Sequence, residues 1–109
     1  MKTGVEIIDD ERKRQIEKEC FYPSHDDHWH DGELSVAAAC YALPDRKRRT
    51  LSTIHLGKMM SVVEKIWPWC IEFWKPTPEN RIKELAKAGA LIAAEIDRLQ
   101  RLSEEGGKE

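Results

Sequence analysis

Thr77-Pro78-Glu79-Asn80-Arg81-Ile82-Lys83-Glu84-Leu85-Ala86-Lys87-Ala88-Gly89-Ala90-Leu91-Ile92-Ala93-Ala94-Glu95-Ile96-Asp97-Arg98-Leu99 reads as one long helix and decides the fold class. Ile82, Leu85, Gly89, Ile92, Ile96 and Leu99 recur at alternating spacings of three and four, which draws one apolar seam over about five turns. Thr77 is a candidate cap, Pro78 suits the first helical position, and Glu79 complements the helix dipole. Gly89 leaves room for a close neighbour. Gly106-Gly107 ends the helix, and the tail after about residue 103 is expected to fray.

Working back toward the amino terminus, the pattern stays helical. Thr3-Gly4-Val5-Glu6 fits a capping box, and Val5, Ile8 and Ile16 supply an apolar stripe for a first helix that runs through Glu19. Pro23 closes it, and residues 21–32 read as a loop. Asp31 is a candidate cap for a second helix from about Gly32 to Ala42, with Leu34, Ala37, Ala38 and Tyr41 on one face and alanines set for close packing. Thr50 to Ile66 reads as a helix with Leu56, Met59, Met60, Val63 and Ile66 inward, weakened by Gly57. Trp67-Pro68-Trp69 breaks that pattern, and the stretch to Trp74-Lys75-Pro76 reads as an irregular or one-turn aromatic connector. The expectation is an all-α, single-domain bundle of three to four helices spanning residues 1–109, with an irregular His/Asp-rich loop and a Trp-rich connector.

The totals agree. A chain of 109 residues holds one modest core, and 40% hydrophobic with 35% charged residues suits a globular helical protein rather than a disordered one. No run approaches the roughly 18 apolar residues of a membrane span, and the amino terminus has no apolar signal region. A net charge of −2 argues against nucleic-acid binding through bulk positive charge. Arg46-Lys47-Arg48-Arg49 reads as a solvated run rather than a phosphate clamp. Cys20, Cys40 and Cys70 form no C-x-x-C pair, so a zinc ribbon or redox dithiol is not indicated. Cys40 and Cys70 read as small buried residues, and the reducing cytoplasm is the natural compartment.

Chemistry concentrates in His25-Asp26-Asp27-His28-Trp29-His30-Asp31-Gly32-Glu33. Imidazole and carboxylate are metal ligands, but His25, Asp26 and Asp27 are consecutive, and no H-x-x-x-H or H-E-x-x-H pattern is present. The reading that competes with a metal centre is a small-molecule pocket. In it His25, Asp26 and Asp27 bind donor groups, Glu33 opens the second helix, and Arg14 beside Glu11 pairs with a carboxylate or phosphate. Trp69 and Trp74 offer flat faces to a base or sugar ring, although tryptophans also simply fill small cores. General acid–base work by Glu33 with a histidine is conceivable, but no activated nucleophile or Gly-rich phosphate loop is present.

Glu11-Arg12-Lys13-Arg14-Gln15-Ile16, His25-Asp26-Asp27, Gly32-Glu33-Leu34 with Ala37–Ala42, Trp67-Pro68-Trp69 to Trp74-Lys75-Pro76, and Lys87–Ile92 with Ala94-Glu95-Ile96 together resemble a group of short phage and prophage proteins. The resemblance covers all but residues 43–66 and implies a phage origin and a host-cytosol location, without an activity. Members of that group usually have Gly-Trp where this chain has Cys20-Phe21, and often His in place of Trp29, which weakens a metal site. The order of elements also resembles, more weakly, the small helical ryanodine-receptor repeat domain, whereas the paired E-x-x-E and E-x-x-D helices of the all-α nucleotide pyrophosphatases are missing. The functional expectation is a non-catalytic phage or prophage accessory protein, without a cofactor, that binds a small polar, nucleotide-like ligand through Glu11, Arg14, His25, Asp26, Asp27, Glu33, Trp69 and Trp74. Sequestering a host defence signal is one use for such a pocket. The alternatives are a metal-dependent hydrolase built on the His/Asp segment and a module that binds a host protein. The long seam on the last helix predicts a homo-oligomer.

Overall fold

A computed structural model describes residues 1–106. The chain is mostly helical: α1 (Gly4–Glu19), α2 (Pro23–Asp26), α3 (Glu33–Ala42), α4 (Asp45–Thr50), strands β1 (Ser52–His55) and β2 (Lys58–Ser61), α5 (Val62–Ile66), a 3-10 turn at Ile71–Phe73, and α6 (Arg81–Gly106). Among the described residues there are six helices, not the expected three to four: α2 lies in the stretch that reads as a loop, and α4 and α5 flank a hairpin. The expected fray after residue 103 is helix as far as Gly106, and its last residues, 107–109, lie outside the described part. No helix among the described residues is long and apolar enough to cross a membrane.

The core forms where α3 lies on α6. Leu34, Ala37, Ala38 and Tyr41 of α3 cluster with Ala88, Leu91 and Ala94 of α6, and Val63 and Trp67 close one end. Small side chains on both helices allow axes to approach to about 8 Å, which a row of leucines would prevent. This geometry leaves the apolar seam of α6 outside the core. Its buried face is the alanine–leucine face, while Ile82, Leu85, Ile92, Ile96 and Leu99 of the predicted seam remain exposed. Gly89 does receive a close neighbour, because a Cβ there would stand 2.6 Å from Ile8 Cδ1 of α1.

Helix ends follow local chemistry. The capping box at Thr3 forms as expected, with the Glu6 N–H donating to Thr3 Oγ1 and the Thr3 N–H to Glu6 Oε1. The α1 stripe is corrected: Val5 is exposed, Ile8 and Ile16 are half-buried, and Glu11 and Gln15 face inward. Asp31 does not cap α3; Gly32 holds that position at φ 85°, and the Glu33 carboxylate accepts the Asp31 N–H at 2.7 Å. Asn80, not Thr77, caps α6, its Oδ1 accepting the Lys83 N–H, while Thr77 to Asn80 make the preceding turn. Cys70 is exposed rather than buried; Cys40 is buried, and burial pushes its thiol up to about 11.

The stretch read as a helix from Thr50 to Ile66 is instead an antiparallel hairpin followed by the short α5, with Ser52 opposite Ser61 and His55 opposite Lys58. Leu56 and Gly57 both adopt positive φ, 52° and 77°, as a two-residue type I′ turn requires. Leu56 and Met59, expected inward, are exposed.

Cys20 ends α1 in the left-handed region at φ 59°, with the Phe21 N–H donating to the Gln15 carbonyl at 3.1 Å. A side chain there costs energy that glycine avoids. Cys20→Gly is therefore expected to stabilise the fold by about 1 kcal/mol, after allowance for the freer unfolded chain. Chemical denaturation measures this, and an unchanged or lower midpoint would refute it.

Candidate functional site

The Cys20 turn swings Phe21 and α2 back across the body, and a cavity of about 810 Å3 opens between α1, α2, the tryptophan connector and α6. Its walls are apolar and aromatic, supplied chiefly by Phe21, Trp29, Tyr41, Trp67 and Trp69. The rings brace one another edge-on: Trp69 meets Trp29 at 5.3 Å between centroids and Trp67 at 5.4 Å. Such contacts hold the aromatic planes in place before any ligand arrives.

His25 illustrates how tightly this wall is built. Its ring stacks on Phe21 at 4.5 Å and an interplanar angle of 6°. Nδ1 lies 3.1 Å from Asp26 Oδ1, and the Trp29 indole N–H donates to Nε2 at 3.5 Å. The pair of contacts fits the tautomer with its hydrogen on Nδ1 and occupies both ring nitrogens. His25 thus acts as an aromatic spacer in the wall.

The polar groups of the cavity are few and uneven. Arg14, Lys75 and Lys87 bring positive charge, and Glu19 brings one carboxylate. Arg14 is gripped from behind by Glu11 in a bidentate pair, Nε to Oε1 at 2.6 Å and Nη2 to Oε2 at 2.8 Å, and these hydrogen bonds push its pKa up. Lys87 lies over the Tyr41 ring at 5.2 Å and donates to the Lys75 carbonyl at 3.2 Å. Desolvation, helped by the charge of Lys83, lowers its pKa. Burial likewise raises the Tyr41 phenol, although the Lys75 N–H donates to its oxygen.

Two buried polar atoms at the wall have no hydrogen-bond partner among the described residues: Gln15 Oε1, an acceptor, and Trp69 Nε1, a donor. The Gln15 amide nitrogen is held by Glu11 at 3.4 Å, which orients its oxygen. Leaving a buried polar group unpaired costs about 1–3 kcal/mol.

Of the residues singled out in the sequence, Arg14, His25 and Trp69 meet at the cavity, with Glu11 directly behind Arg14. The others lie elsewhere. Asp26 is fully buried and pairs with Arg12 at 3.2 Å and with His25, pinning α2 onto α1. Asp27 faces Arg101 of α6 at 2.8 Å. Glu33 closes the turn before α3. Trp74 packs on Tyr41 and Trp67, with the Arg48 guanidinium over its ring at 5.3 Å. Asp26 and Asp27 therefore turn to separate cations and Glu33 to a backbone N–H, and among the described residues no three His, Cys, Asp or Glu side chains are grouped to hold a metal ion.

Phe21, Trp29, Lys75 and Lys87 are cavity residues that the sequence did not single out, and Gln15, one turn from Glu11 and beside Arg14, could from the sequence face either water or a site. Gln15 carried a signal: it lies one turn from Glu11 and two turns from Ile8, on the face of α1 that turns inward. Lys87 carried another, four residues before the buried Leu91 and so on the same helical face. Compared with protein-family models, curated proteins and solved structures, the chain matches none.

Proposed function

We propose that the protein binds, without chemical conversion, a small flat ligand that carries a negative group, a nucleotide-like molecule being the best fit. The observation that carries the reading is an aromatic-walled cavity edged by Arg14, Lys75 and Lys87, whose wall also holds a buried acceptor, Gln15 Oε1, and a buried donor, Trp69 Nε1, without partners among the described residues. A heterocycle presents donor and acceptor atoms along one edge and π-faces above and below. Its faces lie against Trp29 and Phe21, and small side-chain shifts bring the buried Gln15 Oε1 and Trp69 Nε1 to its edge. A phosphate or carboxylate then meets the cations, of which Arg14 is already set in a fork by Glu11. The cavity volume suits a ligand of this size. In keeping with the phage-like motifs, we read the protein as an accessory of a phage or prophage acting in the host cytosol, and sequestration of a nucleotide signal of host defence is one use for such a pocket. The metal-dependent hydrolase reading is not carried forward, since His25 has both nitrogens engaged and the aspartates face different partners.

Calorimetry against mononucleotides and cyclic dinucleotides tests the proposal. At least one is expected to bind. Trp69→Ala should weaken it by about 1–3 kcal/mol, the usual worth of one aromatic–base contact. Lys87→Ala should weaken phosphorylated ligands and spare the matching nucleoside. Because the Lys87 pKa is lowered, the cationic form that attracts an anion is lost as pH rises, and binding should fall off below the ordinary lysine range of about 10.4. No heat with any member of the panel, or equal affinity in Trp69→Ala, would sink the proposal.

A further inference from the structure

The predicted seam of α6 is the largest feature that neither the core nor the cavity uses. Ile82, Leu85, Ile92, Ile96 and Leu99 are each 46–64% exposed, on the side of the helix away from the core face. Lys87 and Leu91, which line the cavity, fall on the opposite side by helical spacing. No charged residue occupies positions 82, 85, 89, 92, 96 or 99, so about 26 Å of helix presents an unbroken apolar line. Scattered exposed apolar residues are ordinary in proteins, but an ordered stripe of this length marks an interaction face.

The dimensions of the molecule agree. Its extents are 48 × 41 × 20 Å, so it is about two helices thick. The radius of gyration is 15.4 Å, against about 13 Å for a compact chain of this length. Its accessible surface is 7471 Å2, while a compact monomer of 12.6 kDa would expose about 6,200 Å2. The excess exceeds the roughly 800 Å2 that each partner buries in a stable interface.

The stripe fits a second copy of itself. The spacings between its six positions are three, four, three, four, three, which read the same in both directions. A two-fold axis between Gly89 and Ile92, with two α6 helices antiparallel, sets Ile82 against the second copy's Leu99 and Leu85 against its Ile96. It also brings Ile8 of α1, which covers Gly89, near the second copy's Ile92. At that level Ile8 of α1 borders the stripe, packed on Gly89, and adds apolar surface beside the axis. A stripe that fits its own antiparallel copy meets the requirement of a two-fold homodimer.

We propose that two copies of the chain pair through α6, antiparallel, about an axis between Gly89 and Ile92. The two cavities then face away from the interface and are open at the same time. Light scattering or sedimentation equilibrium should give the mass of two chains. Ile92→Glu with Ile96→Glu, and separately Leu85→Lys, place charge on exposed positions. Each should return the mass to the 12.6 kDa of one chain with unchanged helical circular dichroism. Direction is read with a spin label at Leu99→Cys, in a chain whose exposed Cys20 and Cys70 are replaced by Ser. The antiparallel pair puts the labelled positions about 25 Å apart along the axis. A parallel pair would leave only the interhelical distance of about 10 Å. The proposal is overturned by a native chain that stays at 12.6 kDa up to millimolar concentration. A native mass other than two chains, dimers that persist in both charge variants, or the short label distance would overturn it equally.

Discussion

Glu84→Ala is expected to cost about 3–5 kcal/mol of stability, the range for breaking a fully buried ion pair. Glu84 has no exposed surface, and its carboxylate accepts from three donors: Arg48 Nη2 at 2.7 Å, the Thr77 N–H at 3.0 Å and Arg81 Nη1 at 3.1 Å. Arg48 is itself buried and reaches the Cys40 carbonyl of α3, while Arg81 donates to the carbonyls of Tyr41, Ala42 and Leu43 at the end of α3. One carboxylate thus ties α4, the connector, the carboxyl end of α3 and the start of α6. Removing it leaves a buried guanidinium without its counter-charge. Thermal unfolding should move down by at least about 12 °C, given 4–8 °C per kcal/mol at this size. Glu84→Ala combined with Arg48→Met should recover much of the loss, because an apolar replacement of both partners removes the stranded charge. A loss under about 1 kcal/mol in the single variant would contradict the assignment.

The same carboxylate sets an acid limit. Burial pushes the Glu84 pKa up, but hydrogen bonds from Arg48 and Arg81, the charge of Arg48 and the Thr77 N–H outweigh it, and the net shift is downward from 4.5. A depressed folded pKa contributes stability that is complete above the unfolded value. That contribution is lost as pH falls below about 4.5 toward the lower folded value. The pH dependence of stability in that window should flatten in Glu84→Gln.

Trp67→Ala is expected to cost a similar 3–5 kcal/mol, whereas Trp69→Ala should cost clearly less. Trp67 is 9% exposed, its indole N–H donates to the Cys70 carbonyl, and its ring meets Tyr41, Trp69 and Trp74. Trp69 is only half-buried and its indole N–H has no partner, so less packing is lost with it. Denaturant titration of the two variants separates them. Equal losses would mean that Trp69 is a core residue like its neighbour and would weaken the case for the cavity.

The mostly helical character was legible in the spacing of α6, in the capping box at Thr3 and in the alanines of α3. The face of α6 was not. Periodicity finds a stripe but does not say whether the stripe meets its own core or another chain, and the alanine face that wins the core looks weak on any hydrophobicity count. The hairpin at 52–61 was hidden because Met59 and Met60 tolerate either structure, and only Leu56-Gly57 at positive φ decides it. At the site, Arg14, His25 and Trp69 were legible as chemically unusual residues. Asp26, Asp27 and Glu33 carried the same signal, yet their charges are absorbed by Arg12, Arg101 and a turn N–H. Pairing across 14 or 74 positions leaves no trace in local spacing. Arg48 shows the converse, a residue in a run of four basic side chains that proves to be buried.

The central claim is that the Trp69 indole N–H, buried and unpaired in the cavity wall, gains an acceptor when a ligand binds, while Trp67 and Trp74 hold the body together. The most direct measurement follows the four tryptophan indole N–H signals in a 15N–1H correlation spectrum as the tightest-binding nucleotide of the calorimetric panel is added. The Trp69 signal should move downfield as it gains an acceptor, with a smaller change at Trp29, and the Trp74 signal should stay in place. A stationary Trp69 signal at saturating nucleotide, or changes confined to Trp74, would contradict the account.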